Sequence, residues 1–358
     1  MSRYEEVKED LRLRPRTWLV TGVAGFIGSN LLDALLDLGQ TVVGMDNFAT
    51  GHARNLDDAL RGDPDRLCRF RFLEADIRDP EACREACRGV DHVLHHAALG
   101  SVPLSMEQPL LANDVNVNGF LAVLSAARDA GTRRFVYAAS CAVYGDDPSL
   151  PKTEDAVGRA LSPYAVTKHV NELYAGVFQR SYGIPTVGLR YFNIFGRRQD
   201  PEGPYAAVIP IWVRNLLTGE PCAINGDGEN SRDFCYVENV VQANLLAATA
   251  PDEATGEVYN VACGERTTLN RLFGLIRDGL ARHHPSLGEV RPLYREARPG
   301  DIRESQADIT RIRARLGFEP THSVADGLHE ALAWYAEDLA RGETLPLDEP
   351  AAGAVAVA

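Results

Sequence analysis

A short apolar run at residues 17–21 ends directly on Thr21-Gly22-Val23-Ala24-Gly25-Phe26-Ile27-Gly28, and residues 29–38 then carry apolar side chains at helical spacing. Three glycines at three-residue intervals between a strand and a helix leave the chain few folds to choose from. Gly22 and Gly25 let the backbone turn closely beneath a pyrophosphate, Gly28 permits tight helix–sheet contact, and the helix N-terminus offers unpaired N–H groups with a favourable dipole. A second strand at 41–46 ends on Asp46, 18 positions after Gly28. A carboxylate there can accept hydrogen bonds from both hydroxyls of an adenosine ribose and repels a 2′-phosphate, so the pattern favours NAD over NADP. A bare turn and a strand-end cap would use the same residues; the order of strand, glycines, helix and acid is what points to a dinucleotide.

Further strands are expected at 69–74, 92–96, 134–139 and 185–190, separated by helical stretches near 81–87, 115–130 and 164–182. Alternation of this kind predicts an α/β fold of Rossmann type, a doubly wound parallel sheet with its ligand at the carboxyl ends of the strands. After Arg190 the rhythm changes, with helices at 208–217, 236–250 and 269–283 and short strands at 222–225 and 257–261. We expect a cofactor domain of residues 1–190 plus about 234–264, and a smaller mixed α/β substrate domain of 191–233 plus about 265–345. Residues 346–358 read as a loose tail.

Hydrophobic residues make up 45% of the 358, enough for a sizeable core and against wholesale disorder. The formal charge of −13 opposes nonspecific contact with nucleic acid or an anionic membrane, but leaves room for an anionic small ligand. No apolar run reaches about 18 residues, and the N-terminus carries Glu5, Glu6, Glu9 and Asp10 where a secretory signal would be basic. Neither export nor membrane insertion is expected. The seven cysteines form no CxxC pair and read as reduced thiols of a cytoplasmic protein. His92, His95 and His96 alternate along a strand and need not share a coordination site, so no metal is expected.

In Ser162-Pro163-Tyr164-Ala165-Val166-Thr167-Lys168 a proline opens a helix, and Tyr164 and Lys168 at i and i+4 share one face. Lysine can hold a nicotinamide ribose and, with the positive nicotinamide, favour the Tyr164 phenolate near neutral pH. Ser140, at the end of the fifth strand, is placed to hydrogen-bond the same substrate hydroxyl. Asp76, ending the third strand, can receive the adenine amino group, while His96-Ala97-Ala98 passes near the pyrophosphate.

With these residues, the segments Asp46-Asn47, Leu189-Arg190-Tyr191-Phe192-Asn193, Ser231-Arg232-Asp233-Phe234 and Arg298-Pro299-Gly300-Asp301 make the chain resemble the extended short-chain dehydrogenase/reductase superfamily from about Arg16 to Tyr335. Within it, the chain looks most like the nucleotide-sugar C4-epimerases, in particular the UDP-N-acetylhexosamine branch. The resemblance implies that Phe26, Ile27, Asn47, Ile77, Ala97, Asn116 and Tyr191 border the cofactor. It implies that Asn193 and Arg232 bind the substrate diphosphate, Arg298 a phosphate and Asp301 the uridine ribose, while Ala207 and Val208 pack along uracil. Internal ion pairs would use Arg232-Asp233 and Arg298 with Asp301 equally well.

Four residues after Asp301, the family position that gates an N-acetyl group is Ser305, where a tyrosine would fill the space. Gly100 and Ser101 resemble the small polar pair of the same branch. The implied reaction begins with the Tyr164 phenolate taking the proton of the sugar 4′-hydroxyl while C4 gives its hydride to tightly held NAD. A 4-keto sugar then turns, and the hydride returns to its other face, regenerating NAD. The reading is therefore reversible interconversion of UDP-N-acetylglucosamine and UDP-N-acetylgalactosamine, with UDP-glucose and UDP-galactose as further candidates. Ala142 departs from the Ser or Thr of relatives, and Cys141-Ala142 supply no dehydratase acid/base pair. A uronate 4-epimerase or decarboxylase is the alternative, with Arg197 and Arg198 available for a C6 carboxylate, for the diphosphate entrance or for salt bridges. A non-catalytic NAD-binding protein would dispense with Tyr164 or Lys168, and both are present. The resemblance further implies a homodimer through the helices at 118–130 and 164–182.

Overall fold

The computed structural model describes residues 1–201, 206–297 and 303–342. Arg298 and Asp301, predicted to meet the substrate, lie outside the described residues.

Seven strands form one parallel sheet: β1 (Thr17–Thr21), β2 (Thr41–Asp46), β3 (Phe70–Glu74), β4 (His92–His95), β5 (Arg134–Ser140), β6 (Thr186–Tyr191) and β7 (Glu257–Val261). Their order is 3-2-1-4-5-6-7, and every pairing in the sheet is parallel. The order reverses between β1 and β4, which opens a crevice at the carboxyl ends of those two strands. The expected doubly wound sheet is thus present.

Helices cover both faces. On one, α2 (Phe26–Asp37) buries Leu31, Leu32, Leu35 and Leu36, and α8 (Val237–Ala248) is buried at every position but Glu238. On the other, α3 (Pro80–Cys87) and α5 (Phe120–Asp129) enclose Cys83, Cys87, Phe120 and Leu124, and α6 (Pro163–Tyr182) follows along Phe135 and Tyr137 through Ala175 and Phe178. A separate apolar cluster gathers Phe195, Trp212 of α7 (Val208–Thr218), Phe273 of α9 (Leu269–Ala281) and Leu328 of α10 (Val324–Gly342).

Two expectations change. The charged leader is itself a helix, α1 (Arg3–Leu13), which Ser2 caps through the Glu5 N–H and which buries Val7 and Leu11. The stretch expected as a regular helix at 115–130 begins with a π-helical turn at Asp114–Gly119 before α5. Gly119 sits there against Ile77, whose Cδ1 would lie 2.6 Å from any added Cβ. By length and composition alone, the helical run Pro109–Asp129 could cross a membrane. Half of its apolar window is buried inside the molecule, where it packs on α3 and the sheet, as a core helix does.

Candidate active site

The crevice between β1 and β4 is lined by Gly22, Gly25, Asp46, Asn47, Asp76, Ile77 and Ala97, seven of the residues expected at a dinucleotide. Gly22 has φ +70°, and a Cβ on it would meet the Ala97 backbone nitrogen at 2.8 Å. A Cβ on Gly28 would lie 2.0 Å from the Gly22 carbonyl oxygen, so only glycine lets α2 start this close to the turn. Gly25 caps α2 without any side-chain hydrogen bond, which leaves the first-turn N–H groups facing the crevice mouth for an anion. Phe26 and Ile27 open the same helix and are half-buried against the two cores beneath it.

Asp46 is buried, and its two oxygens accept from the backbone N–H of Ala24 at 2.9 Å and Phe48 at 2.8 Å, which fixes the carboxylate at the edge of the crevice. Asp76 is already engaged: Arg78 donates to it from Nη2 at 2.7 Å and Nε at 3.0 Å, and Asn47 from Nδ2 at 2.9 Å. Those bonds, that of Arg78 foremost, hold the Asp76 carboxyl below its usual range. Asn116 braces the crevice loop, accepting from the Leu99 N–H at 2.8 Å and donating to the Leu99 carbonyl and the Thr167 hydroxyl, each at 3.1 Å. The side chain of Tyr191 is committed to the interior, its hydroxyl accepting from Asn244 at 2.8 Å and its ring stacked on His96.

Ser140, Tyr164 and Lys168 converge from β5 and α6. Ser162 caps α6 through the Ala165 N–H, Pro163 follows as first residue, and the Tyr164 N–H donates to Ser105 at 3.1 Å, so the entry of the helix is fixed. The Ser140 hydroxyl accepts from the Ala142 N–H at 3.1 Å and stands close enough to Tyr164 to favour its phenolate. The buried Lys168 donates to the Ala138 carbonyl at 2.9 Å, with its Nζ 5.8 Å from the centre of the Tyr164 ring. Burial pushes the Tyr164 hydroxyl up to about 12, with the neighbouring Ser140 hydroxyl working against it, and burial brings Lys168 down to about 8. The phenolate expected near neutral pH is therefore not produced by these protein groups alone.

A cavity of about 720 Å³ opens beside this pair, lined by Cys141, Ala142, Ser162, Asn193, Arg232 and Ser305 among others. Ser305 reaches Arg232 because residues 303–305 pair with the strand Ser231–Arg232: the Ser231 N–H donates to Arg303 at 2.9 Å and the Ser305 N–H to Ser231 at 3.1 Å. The next residue, Asp233, turns inward and accepts the N–H groups of Cys263 and Gly264 at 3.0 Å and of Ala307 at 3.1 Å. Gly100 and Ser101 do not line this cavity; the Ser101 hydroxyl caps the helix α4 (Val102–Glu107), whose first residue does. Ala207 and Val208 open α7 and do not line it either.

Residues 18–262 match the NAD dependent epimerase/dehydratase family. The chain belongs to that family. It is an NAD-dependent epimerase/dehydratase, and the glycine cradle and Asp46 are the parts of it that fit the dinucleotide. The UDP-glucose 4-epimerase of Mycolicibacterium smegmatis is 35% identical over 319 residues, covering 88% of this chain and 97% of that one. The UDP-N-acetylglucosamine 4-epimerase of Methanobrevibacter ruminantium, solved with UDP-N-acetylmuramic acid, is 37% identical with a TM-score of 0.83, covering 90% of this chain and 99% of that one. The UDP-glucose 4-epimerase of Thermus thermophilus, solved with NAD, is 34% identical with a TM-score of 0.75, covering 89% and 99%.

Some residues of this epimerase/dehydratase gain a place that spacing did not show. Arg78 lines the cofactor crevice and bridges Asp76 to Asp114, and Lys152 lines the larger cavity with its ammonium on Asp147. Arg78 follows Asp76 by two residues, a local signal; Lys152 has none.

Proposed function

We propose that this epimerase/dehydratase interconverts UDP-N-acetylglucosamine and UDP-N-acetylgalactosamine by reversible inversion at C4, with NAD tightly held and regenerated in each turnover. The observation that carries the substrate choice is Ser305, a small half-buried hydroxyl on the wall of the cavity next to Arg232. It leaves the volume and the hydrogen bond that an acetamido group needs. The family relationship supports a nucleotide sugar, and the Methanobrevibacter protein is by name a UDP-N-acetylglucosamine 4-epimerase.

The chemistry rests on the chain's own groups. Tyr164 takes the proton of the sugar C4 hydroxyl, holds it while C4 is a ketone, and returns it to the inverted oxygen; Ser140 polarises that oxygen and aligns it. Lys168 keeps a positive charge on the same side of α6. NAD, when bound, supplies the two-electron acceptor and donor for the C4 hydrogen. Asn193 and Arg232, joined by Arg298 and Asp301, are the proposed diphosphate and ribose contacts.

The uronate alternative loses its arginines. Arg197 donates to Asn30 at 2.6 Å and to Glu238 at 2.8 Å, and Arg198 donates to the Ser29 carbonyl at 3.0 Å, which places both under α2 rather than in the cavity. At the two positions after Ser140 where a dehydratase would carry its acid/base pair stand the Cys141 thiol, which burial pushes up to about 11, and the Ala142 methyl.

Ser305→Tyr is expected to lower kcat/KM for UDP-N-acetylglucosamine by about 10–100-fold more than for UDP-glucose, with NAD occupancy unchanged. Equal losses on both sugars would remove Ser305 as the gate. If wild type turns over UDP-glucuronate instead of either sugar, the substrate assignment itself fails.

The assembly proposed is a homodimer. Val166, Leu173, Tyr174 and Val177 form an exposed apolar strip along α6, next to the partly buried Leu121 and Ala122 of α5. Each such side chain gains roughly 1.5–3 kcal/mol when fully buried, which favours pairing over exposure. Light scattering should give twice the chain mass, and Leu173→Glu should shift it toward the single chain. A wild-type monomer at all concentrations would overturn the dimer.

A further inference from the structure

Along the cofactor crevice the ends of three neighbouring strands succeed one another: the glycine turn after β1, Asp46 closing β2, and Asp76 two residues beyond β3. With the pyrophosphate at the glycines and a ribose at Asp46, the base of the dinucleotide falls to Asp76 and to Ile77, Leu99, Leu111 and Val115, which line the same crevice. The backbone at Asp76 is held without its side chain: the Asp76 carbonyl accepts the Asp79 N–H at 3.0 Å, the Ile77 carbonyl accepts the Cys83 thiol at 3.2 Å, and Asp79 caps α3. What the Asp76 carboxylate offers a base is set by its own partners.

An ionised carboxylate has about four acceptor positions, two on each oxygen. Oδ1 of Asp76 accepts the Arg78 backbone N–H at 2.8 Å and Arg78 Nε at 3.0 Å, and Oδ2 accepts Arg78 Nη2 at 2.7 Å. The remaining position on Oδ2 is taken by Asn47, whose Nδ2 donates to it at 2.9 Å. The two donors are unequal. The Arg78 fork is charged, meets both oxygens, and is fixed on its far side by Asp114, which accepts from Nη1 at 2.9 Å. Asn47 is neutral and exposed, and gives Asp76 a single bond. Its position is therefore the one that an N–H group of a ligand can take over. The Arg78 bonds hold the Asp76 carboxyl below its usual range, so the group stays an acceptor that needs a donor. A 6-amino purine brings that donor, whereas a 6-oxo purine sets an oxygen against the carboxylate. The Arg78 side chain is 38% exposed, so its replacement leaves the core in place.

We infer that Arg78 is a positioning residue for the base of the cofactor: it fills three of the four acceptor positions of Asp76 and leaves one, held by Asn47 until the cofactor arrives, for the amino group of adenine. Arg78 thereby sets the choice of base through Asp76. The inference rests on the assignment of the crevice to NAD with Asp76 at the base, and is independent of the sugar substrate.

The test is an exchange measurement on the NAD-loaded protein. It is incubated with mixtures of NAD and nicotinamide hypoxanthine dinucleotide, which carries a 6-oxo group in place of the 6-amino group, until the bound ratio stops changing; free nucleotide is then removed and the bound pair quantified by chromatography after denaturation. Wild type is expected to favour NAD by about tenfold to a hundredfold, the cost of an acceptor left facing an oxygen. Arg78→Met should lower that preference by about tenfold, because the carboxylate is then free to turn. Arg78→Lys, which keeps the charge but cannot hold both oxygens, should fall between, and it decides the matter if Arg78→Met does not fold. Asn47→Ala, which removes the competing donor, should keep or raise the preference. Asp76→Asn, whose amide can donate to a 6-oxo group, should reverse it. Equal binding of the two dinucleotides by wild type, or a wild-type preference in Asp76→Asn, removes Asp76 from the base and with it the reading underneath. A shifted preference in Asp76→Asn together with an unchanged one in Arg78→Met and Arg78→Lys overturns the role of Arg78 alone, since a merely structural part would weaken both dinucleotides equally.

Discussion

Replacing Tyr164 by Phe is expected to lower turnover by about 10²–10⁴ while NAD binding stays near wild type. The substitution removes the hydroxyl proposed to carry the proton but keeps the ring, its helix cap and the Tyr164 N–H to Ser105. The pH dependence should expose why the cofactor matters. With Tyr164 held up to about 12 by burial in the protein alone, its active form, the phenolate, is scarce at neutral pH. Lys168, lowered to about 8, carries its charge below that pH and loses it above, so its help to the phenolate fades on the alkaline side. Ultraviolet titration of the Tyr164 phenolate, as a difference between wild type and Tyr164→Phe, should show a lower pKa with NAD bound than without. Epimerisation by the variant at a near-wild-type rate would remove Tyr164 from its role, and an unchanged pKa on NAD binding would remove the cofactor charge from the account.

What could be read from the sequence was what local spacing encodes. The glycines and Asp46 stand within one strand–helix–strand unit, so their meeting in space follows from the chain's own geometry, and the crevice between β1 and β4 contains them. Tyr164 and Lys168 share a helical face for the same reason. Contacts made across long loops were not legible. Arg197 and Arg198 looked equally suited to a substrate carboxylate, but their partners Asn30, Ser29 and Asp33 lie on a helix more than 160 residues earlier. Asp33, buried and met by Arg61 and Arg66 at 2.8 Å and by Arg197 and Arg198 at 3.3 Å, reads in sequence as an ordinary surface acid of α2. The helix α1 buries two apolar side chains in eleven residues, too few for periodicity to announce it. The hydroxyl of Ser101 reads as a pocket residue until its capping bond to Leu104 is seen.

The helix that carries Tyr164 and Lys168 is clamped by another long-range pair. Glu172 follows Tyr164 and Lys168 by eight and four residues, so it continues their face of α6. Arg190 of β6 donates to it from Nε at 2.8 Å and Nη2 at 2.7 Å, and its Nη1 reaches the Tyr144 hydroxyl at 3.1 Å and the Glu154 carbonyl at 2.8 Å. Tyr144 belongs to the turn that Ser140 caps, so one guanidinium joins α6, β6 and the Ser140 turn. The Arg190 side chain is 2% exposed and that of Glu172 8%, so the charge left behind by losing either partner has no water to turn to. Glu172→Ala is therefore expected to destabilise the NAD-loaded protein by about 3–5 kcal/mol, read as a fall in the urea midpoint at unchanged slope. Glu172→Gln, which keeps the volume and one acceptor, should fall between the two. Adding Arg190→Met to Glu172→Ala should restore much of the loss, because an apolar side chain of similar length needs no partner, whereas a role for Glu172 in packing alone predicts that the double variant is weaker than either single one. A midpoint for Glu172→Ala equal to wild type would show that water reaches Arg190 and that the clamp on α6 is not electrostatic.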